Sequence, residues 1–149
     1  MVTQSTTKKI NPKDLLGIQK VPFSVLSAPV MGELGLAMFE GARKYGRHNY
    51  RIAGVRASIY YDACLRHLMA WWEGEDIDAD SKMCHVVKAM ACLMILRDGM
   101  LIGNWKDDRP PKSKGVWVNE LNSKTKDIIK IYPKLIEPYT ELNIKEGFK

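Results

Sequence analysis

Cysteine is scarce in this chain and poorly spaced for redox or zinc chemistry. The three thiols, Cys64, Cys84 and Cys92, are odd in number and form no CxxC pair. That spacing argues against a disulfide framework and against a zinc knuckle. It predicts reduced core cysteines in a cytoplasmic protein. Long apolar runs are missing too. None approaches the length that spans a bilayer, and the opening MVTQSTTKKI lacks the apolar stretch of a secretory leader. The expectation is a protein with no membrane segment. Strand alternation is almost absent, apart from a short Val-Trp-Val at Val116–Val118.

What is present is ordinary in bulk and unusual in arrangement. The 149 residues are 46% hydrophobic and 27% charged, enough for one globular domain with its own core. The net charge of +6 invites a nucleic-acid reading. The excess comes largely from dispersed lysines near the two ends, from Lys8 to Lys20 and from Lys112 to Lys134. The middle carries acidic clusters at Glu73–Asp80 and at Asp107–Asp108. Carboxylates in the centre suit a divalent cation better than a groove that tracks a phosphate backbone.

Periodicity predicts helices. Met31, Leu34, Met38 and Ala42 recur at helical spacing, giving a helix from about Val30 to Tyr45 that ends at Gly46. A polar loop is expected over Arg47–Gly54. A second helix opens at Ala57 with Ser58 as its N-cap and runs to Gly74. An acidic loop, Glu75–Ser81, precedes a third helix over about Lys82–Met100, which is apolar enough to be the central one. A fourth spans Asn119–Tyr132. Asn11–Asp14 is a turn or cap signal, and Pro22 and Pro29 make the stretch between them an irregular arm. The fold class is all-α, a small bundle of about four helices with an irregular N-terminal arm and a C-terminal tail. Residues 1–10 are expected to be disordered, 11–111 to form the helical domain and 112–149 its helical extension and tail.

The chemistry-bearing residues concentrate between Gly41 and Ala89. Glu33, Ala37, Glu40, Gly41 and Lys44 share one stripe, with small residues leaving room for something to approach the helix. The alternative is a solvated face with a Glu40–Lys44 ion pair. The loop Lys44-Tyr45-Gly46-Arg47-His48-Asn49-Tyr50-Arg51 combines cations that clamp phosphate oxygens with aromatic and amide groups that contact a base. As a simple alternative it is an exposed basic loop. On the second helix Asp62 and Arg66 are spaced to pair, while His67 shares the face of Ala63 and Trp71. The carboxylates Glu73, Glu75, Asp76, Asp78 and Asp80 crowd together and repel unless solvated or bridged by a cation. His85 and Lys88 lie three apart, flanked by Ala89 and Cys92. Arg97–Asp98 is expected to be a structural pair, and Asp107–Pro111 a cap or a lid.

In this order, NPKDLLGIQKVP, GARKYGRHNYR, YYDACLRHLMAWWEGEDIDADS, HVVKA and DDRPP resemble the dATP/dGTP diphosphohydrolase N-terminal domain family, common in bacteriophages and prophages. The resemblance covers about residues 11–111. The family's first block falls on Gly41, Ala42, Lys44, Tyr45, Gly46, Asn49, Tyr50 and Arg51, with Tyr50 in place of the usual Trp. Its second falls on Asp62, Ala63, Arg66, His67, Leu68, Trp71, Gly74, Glu75 and Asp78, and its heading histidine on His85. Lys82 stands where the family usually has Gly. The resemblance implies a small helical domain acting on purine deoxynucleotides. It also suggests kinship with all-α MazG-type nucleotide pyrophosphohydrolases, which use Mg²⁺ or Mn²⁺ and often form homo-oligomers. Their carboxylate cage is not carried over, since the nearest equivalents here are Asp62 with Arg66 and His85 with Lys88.

The expected activity is therefore metal-dependent hydrolysis of dATP or dGTP in the cytoplasm of a phage-infected cell. Lys44, Arg47, Arg51, Arg66 and Lys88 would neutralise phosphate, and Tyr45, Asn49 and Tyr50 would contact base or sugar. His67, Glu75, Asp78 and His85 would hold Mg²⁺ or Mn²⁺, with His67, Glu75 and His85 as catalytic groups. Glu33 and Glu40 are secondary candidates. Two other readings remain: a phage sponge that sequesters a nucleotide without turnover, and a small basic nucleic-acid-binding protein.

Overall fold

Asn11 accepts a hydrogen bond from the Lys13 N–H at 3.0 Å and so caps α1 (Pro12–Gly17), with proline at its first position. The computed structural model describes residues 11–113 and 115–142. The stretch 1–10 expected to be disordered lies outside the described residues, as does the end of the expected tail. A single 3-10 turn, Phe23–Val25, interrupts the arm.

The helix α2 (Ala28–Tyr45) takes Pro29 in its first turn, where a missing N–H costs nothing. Arg43 and Lys44 in its last turn favour the negative end of the helix dipole. Gly46, at φ 92°, ends it and bonds back to Ala42 O. The expected loop after it is not a loop throughout. His48 adopts φ 61° and turns the chain into α3 (Asn49–Ala53), a helix of five residues. Nothing local announces so short an element. Its carbonyl end is held from outside: Asn104 Nδ2 donates to Arg51 O at 2.8 Å and to Ile52 O at 3.2 Å.

A two-residue strand β1 (Val55–Arg56) pairs in parallel with β2 (Trp105–Lys106), Val55 opposite Trp105. Between them run α4 (Ala57–Trp72) and α5 (His85–Ile102). Ser58 is not the N-cap of α4, which is Arg56. Ser58 lies inside the first turn, and its N–H and hydroxyl both donate to Asp108, at 2.9 and 2.6 Å. The cap is thus supplied from fifty residues away, which makes the Asp107–Pro111 segment a cap and explains why local sequence misplaced it. α5 begins at His85 rather than Lys82 because Lys82 takes a left-handed φ of 58°.

α5 is the central element, packing against α4, α2, α3, β1 and β2. The small core of Ala37, Val87 and Ala91 lies where α2 meets α5, with Leu34, Met38, Met83 and Cys84 around it. Gly99 on α5 lies under Val55, whose Cγ2 would be 2.3 Å from any added Cβ. No helix is long and apolar enough to cross a membrane among the described residues.

The described chain divides into two units after Arg109. The second holds α6 (Trp117–Ile131), whose Trp117, Leu121, Ile128 and Ile131 fall on one stripe. The short alternation at Val116–Val118 forms no strand: Val116 is the N-cap of this helix, which opens two residues before the expected Asn119. Strand-forming side chains are overridden there by the amphipathic period that follows.

Candidate functional site

The stripe of small residues on α2 forms one wall of a cavity of about 810 Å³. Gly41 contributes no side chain, and a Cβ there would meet nothing within 4 Å. The turn after α2 adds Tyr45, Arg47, His48 and Asn49, and α3 adds Tyr50. α4 presents Tyr60, Ala63 and His67, and α5 presents Lys88 and Cys92. Tyr60 is a cavity residue that the motif reading missed. Its signal was there, since positions 60, 63 and 67 share one helical stripe. Burial pushes the Tyr60 hydroxyl and the Cys92 thiol above their ordinary pKa values, so both are neutral groups in this wall.

Glu40 organises the cations. Its carboxylate accepts from Lys44 Nζ at 2.5 Å through Oε1 and from Lys88 Nζ through Oε2. Burial alone would raise its pKa, but the two lysine hydrogen bonds outweigh it and hold the group below its ordinary value. The Glu40–Lys44 pair is therefore part of a three-residue bridge across α2 and α5, and no mere solvated face.

Beside the cavity, the acidic loop is tightly built. Asp78 N–H bonds to Met83 O at 2.9 Å, His85 N–H to Asp76 O at 3.0 Å, and Ile77 bridges Cys84. Ser81 donates to Asp78 Oδ2 with its N–H and its hydroxyl, at 3.0 and 2.6 Å. Those bonds keep Asp78 ionised below its ordinary pKa. The loop thereby brings Asp78 to His67 and His85, with ligand atoms of all three within 4.8 Å of one another. The Nδ1 atoms of the two imidazoles are 2.9 Å apart. Burial lowers the pKa of His67 most, with Asp78 opposing it, so the ring is held toward its neutral, lone-pair form. His85 is buried at 5% exposure, and its Nε2 has no hydrogen-bond partner.

Not every expected site residue joins this arrangement. Lys44, Tyr45, Arg47, Asn49, Tyr50, His67 and Lys88 line the cavity. Arg51 does not: its guanidinium forks onto Asp98 at 2.6 and 2.9 Å. Asp98 was expected to pair with Arg97, its neighbour in sequence, but α5 turns it toward α3. Arg66 lies exposed outside the cavity wall, although its charge reaches His67. Glu75 stands apart from the three-residue cluster, its carboxylate 3.6 Å from His85 Nε2. The acidic loop does not line the cavity, and Asp80 acts on Lys44 only through its charge.

The fold and the site define an all-helical domain with a cation-bearing cavity set against a His–Asp–His cluster. The chain belongs to the family described as dATP/dGTP diphosphohydrolase, N-terminal, whose sequence profile matches residues 11–109. No curated protein and no solved structure matches it.

Proposed function

We propose that this protein is a metal-dependent phosphohydrolase acting on purine deoxynucleoside triphosphates. The observation that carries the reading is the continuity of the cavity with the cluster: His67 belongs to both. The family name supports a dATP or dGTP substrate. In this reading Lys44 and Lys88 exchange Glu40 for phosphate oxygens, and Arg47 adds a third cation from the cavity wall. Tyr45, Tyr50 and Asn49 take the base and sugar. Arg51, committed to Asp98, positions α3 rather than touching substrate.

The donor set of the cluster fits a divalent cation, because the facing Nδ1 atoms of His67 and His85 and a carboxylate of Asp78 come together there. His67, Asp78 and His85 would hold it. Such an ion lowers the pKa of water and polarises a phosphoryl oxygen. The chain's own residues orient the triphosphate, balance its charge and exclude bulk water. Water adds to one phosphorus, the anhydride P–O bond breaks, and the leaving phosphate departs with the bond electrons while water's proton passes to solvent.

The exposed apolar surface supports a homo-oligomer. Leu93, Met94, Leu101 and Ile102 on α5, and Ile59, Met69 and Trp72 on α4, are all exposed in the single chain. Among the described residues no large side chain is fully buried. A second copy of the chain would cover such a surface. A cytoplasmic, phage-related setting follows from the family resemblance.

The test is direct. The purified protein is incubated with dATP, dGTP, dCTP or dTTP and Mn²⁺, and products are resolved by anion exchange. Catalytic release of monophosphate and pyrophosphate, or of diphosphate and phosphate, from the purine substrates supports the proposal and identifies the bond. Stoichiometric binding without product replaces it with the sponge.

A further inference from the structure

The two facing imidazoles pose a chemical question. An Nδ1···Nδ1 distance of 2.9 Å is a hydrogen bond only if one nitrogen donates and the other accepts. If His85 is the donor, its Nε2 becomes a buried lone pair with no partner. If His85 accepts, its Nε2–H points toward the nearest acceptor, Glu75 Oε1, at 3.6 Å. That contact is too long for a good hydrogen bond. Neither tautomer satisfies every nitrogen.

An ion removes the need for either Nδ1 to donate and fixes the His85 proton on Nε2, the nitrogen that faces Glu75. Both Nδ1 lone pairs can face one cation, and both Nε2 atoms then carry protons. The nitrogen spacing is informative. Two nitrogens bound at about 2.1 Å lie about 3.0 Å apart at a right angle and about 3.4 Å apart at the tetrahedral angle. At 2.9 Å the two nitrogens are close enough to reach one ion together. Asp78 completes the set. Its hydrogen bonds from Ser81 both use Oδ2, so Oδ1 carries no bond within the described residues.

We infer that His67 Nδ1, His85 Nδ1 and Asp78 form a three-ligand site for a borderline transition ion of the Mn²⁺, Fe²⁺ or Co²⁺ type, and that Glu75 is its positioning residue through His85 Nε2. This deepens the functional proposal and rests on the same cluster, but not on nucleotide turnover. Two neutral nitrogens are poor ligands for Mg²⁺, which prefers oxygen and keeps its water. They suit ions that accept imidazole. Glu75 reaches the far nitrogen of a buried ligand, the geometry by which an outer carboxylate fixes the tautomer and raises the basicity of a metal-bound histidine.

The experiment is Mn²⁺ titration of the full chain, without nucleotide, followed by the loss of the free-ion electron paramagnetic resonance signal. The expected result is one Mn²⁺ per chain, with half displacement needing at least a hundredfold excess of Mg²⁺. Pulsed measurements should show nitrogen coupling to the bound ion. His67→Gln should weaken binding at least tenfold and reduce that coupling. Glu75→Gln, at an exposed position, should keep the circular dichroism of the parent and weaken Mn²⁺ about tenfold. Competition by Mg²⁺ at equal concentration, no nitrogen coupling, or unchanged binding in both variants overturns the assignment. Failure of dNTP hydrolysis with this Mn²⁺ site intact would remove the phosphohydrolase reading alone. Hydrolysis that persists in His67→Gln without bound Mn²⁺ would remove the site alone.

Discussion

Glu40 is the residue on which the cavity's charge depends. With Glu40 neutralised, the Lys44 and Lys88 ammonium groups face each other without the anion between them. Its folded pKa lies below the ordinary value of 4.5. A depressed carboxyl contributes stability in full above the unfolded pKa and loses it as pH falls through the folded one. Urea midpoints of the parent and of Glu40→Gln should therefore differ at neutral pH and converge in acid below 4.5. A constant gap across that range would assign the effect to packing instead. Lys82 makes a different test. A side chain in the left-handed region costs about 1–2 kcal/mol, partly offset in glycine by chain entropy, so Lys82→Gly should stabilise by about 0.5–1 kcal/mol in the same assay. The family resemblance puts Gly at this position, yet the third helix was still expected to open there, because a left-handed φ is not visible in the helical period.

Elements are tied together here by single long-range contacts. Gly99 lets α5 touch β1, and a methyl group there would collide with Val55 Cγ2. Gly99→Ala should cost about 1–3 kcal/mol by overpacking, read from denaturant unfolding. Val55→Ala in the same chain should recover part of that loss, since the clash partner is gone. Asp108→Ala removes the acceptor for the first turn of α4. It should lower the urea midpoint without changing the slope, and hydrogen exchange should rise first at Ser58. The helices themselves were legible, because a period of 3.6 residues and a terminating glycine are local properties. The long α2 was found within two residues of its start and at its end, Tyr45 before Gly46. The five-residue α3 was not, since its stability comes from Asn104 and from burial of Tyr50 against α5 rather than from its own sequence.

At the scale of the whole molecule, the apolar surface of α4 and α5 is the dominant feature. α5 is apolar around its circumference, the pattern of a helix surrounded on all sides, yet Leu93 and Leu101 are exposed in one chain. Light scattering behind size-exclusion chromatography should give a mass of two chains or more. Leu93→Lys with Leu101→Lys should reduce it. A monomer at micromolar concentration in the parent would refute the second-copy reading.

By itself the sequence determined the helical class, the existence of the long helices, the span of α2 to within two residues and the residue types gathered between Gly41 and Ala89. Those depend on near neighbours, whose spacing along the chain is also their spacing in space. Only the tertiary structure decided who meets whom: Arg51 with Asp98, Glu40 with Lys88, Ser58 with Asp108, and His67 with His85 and Asp78. Each of those meetings joins residues from different elements. It is set by how α2, α4 and α5 pack and by how the acidic loop folds back, and no pattern of near neighbours encodes it.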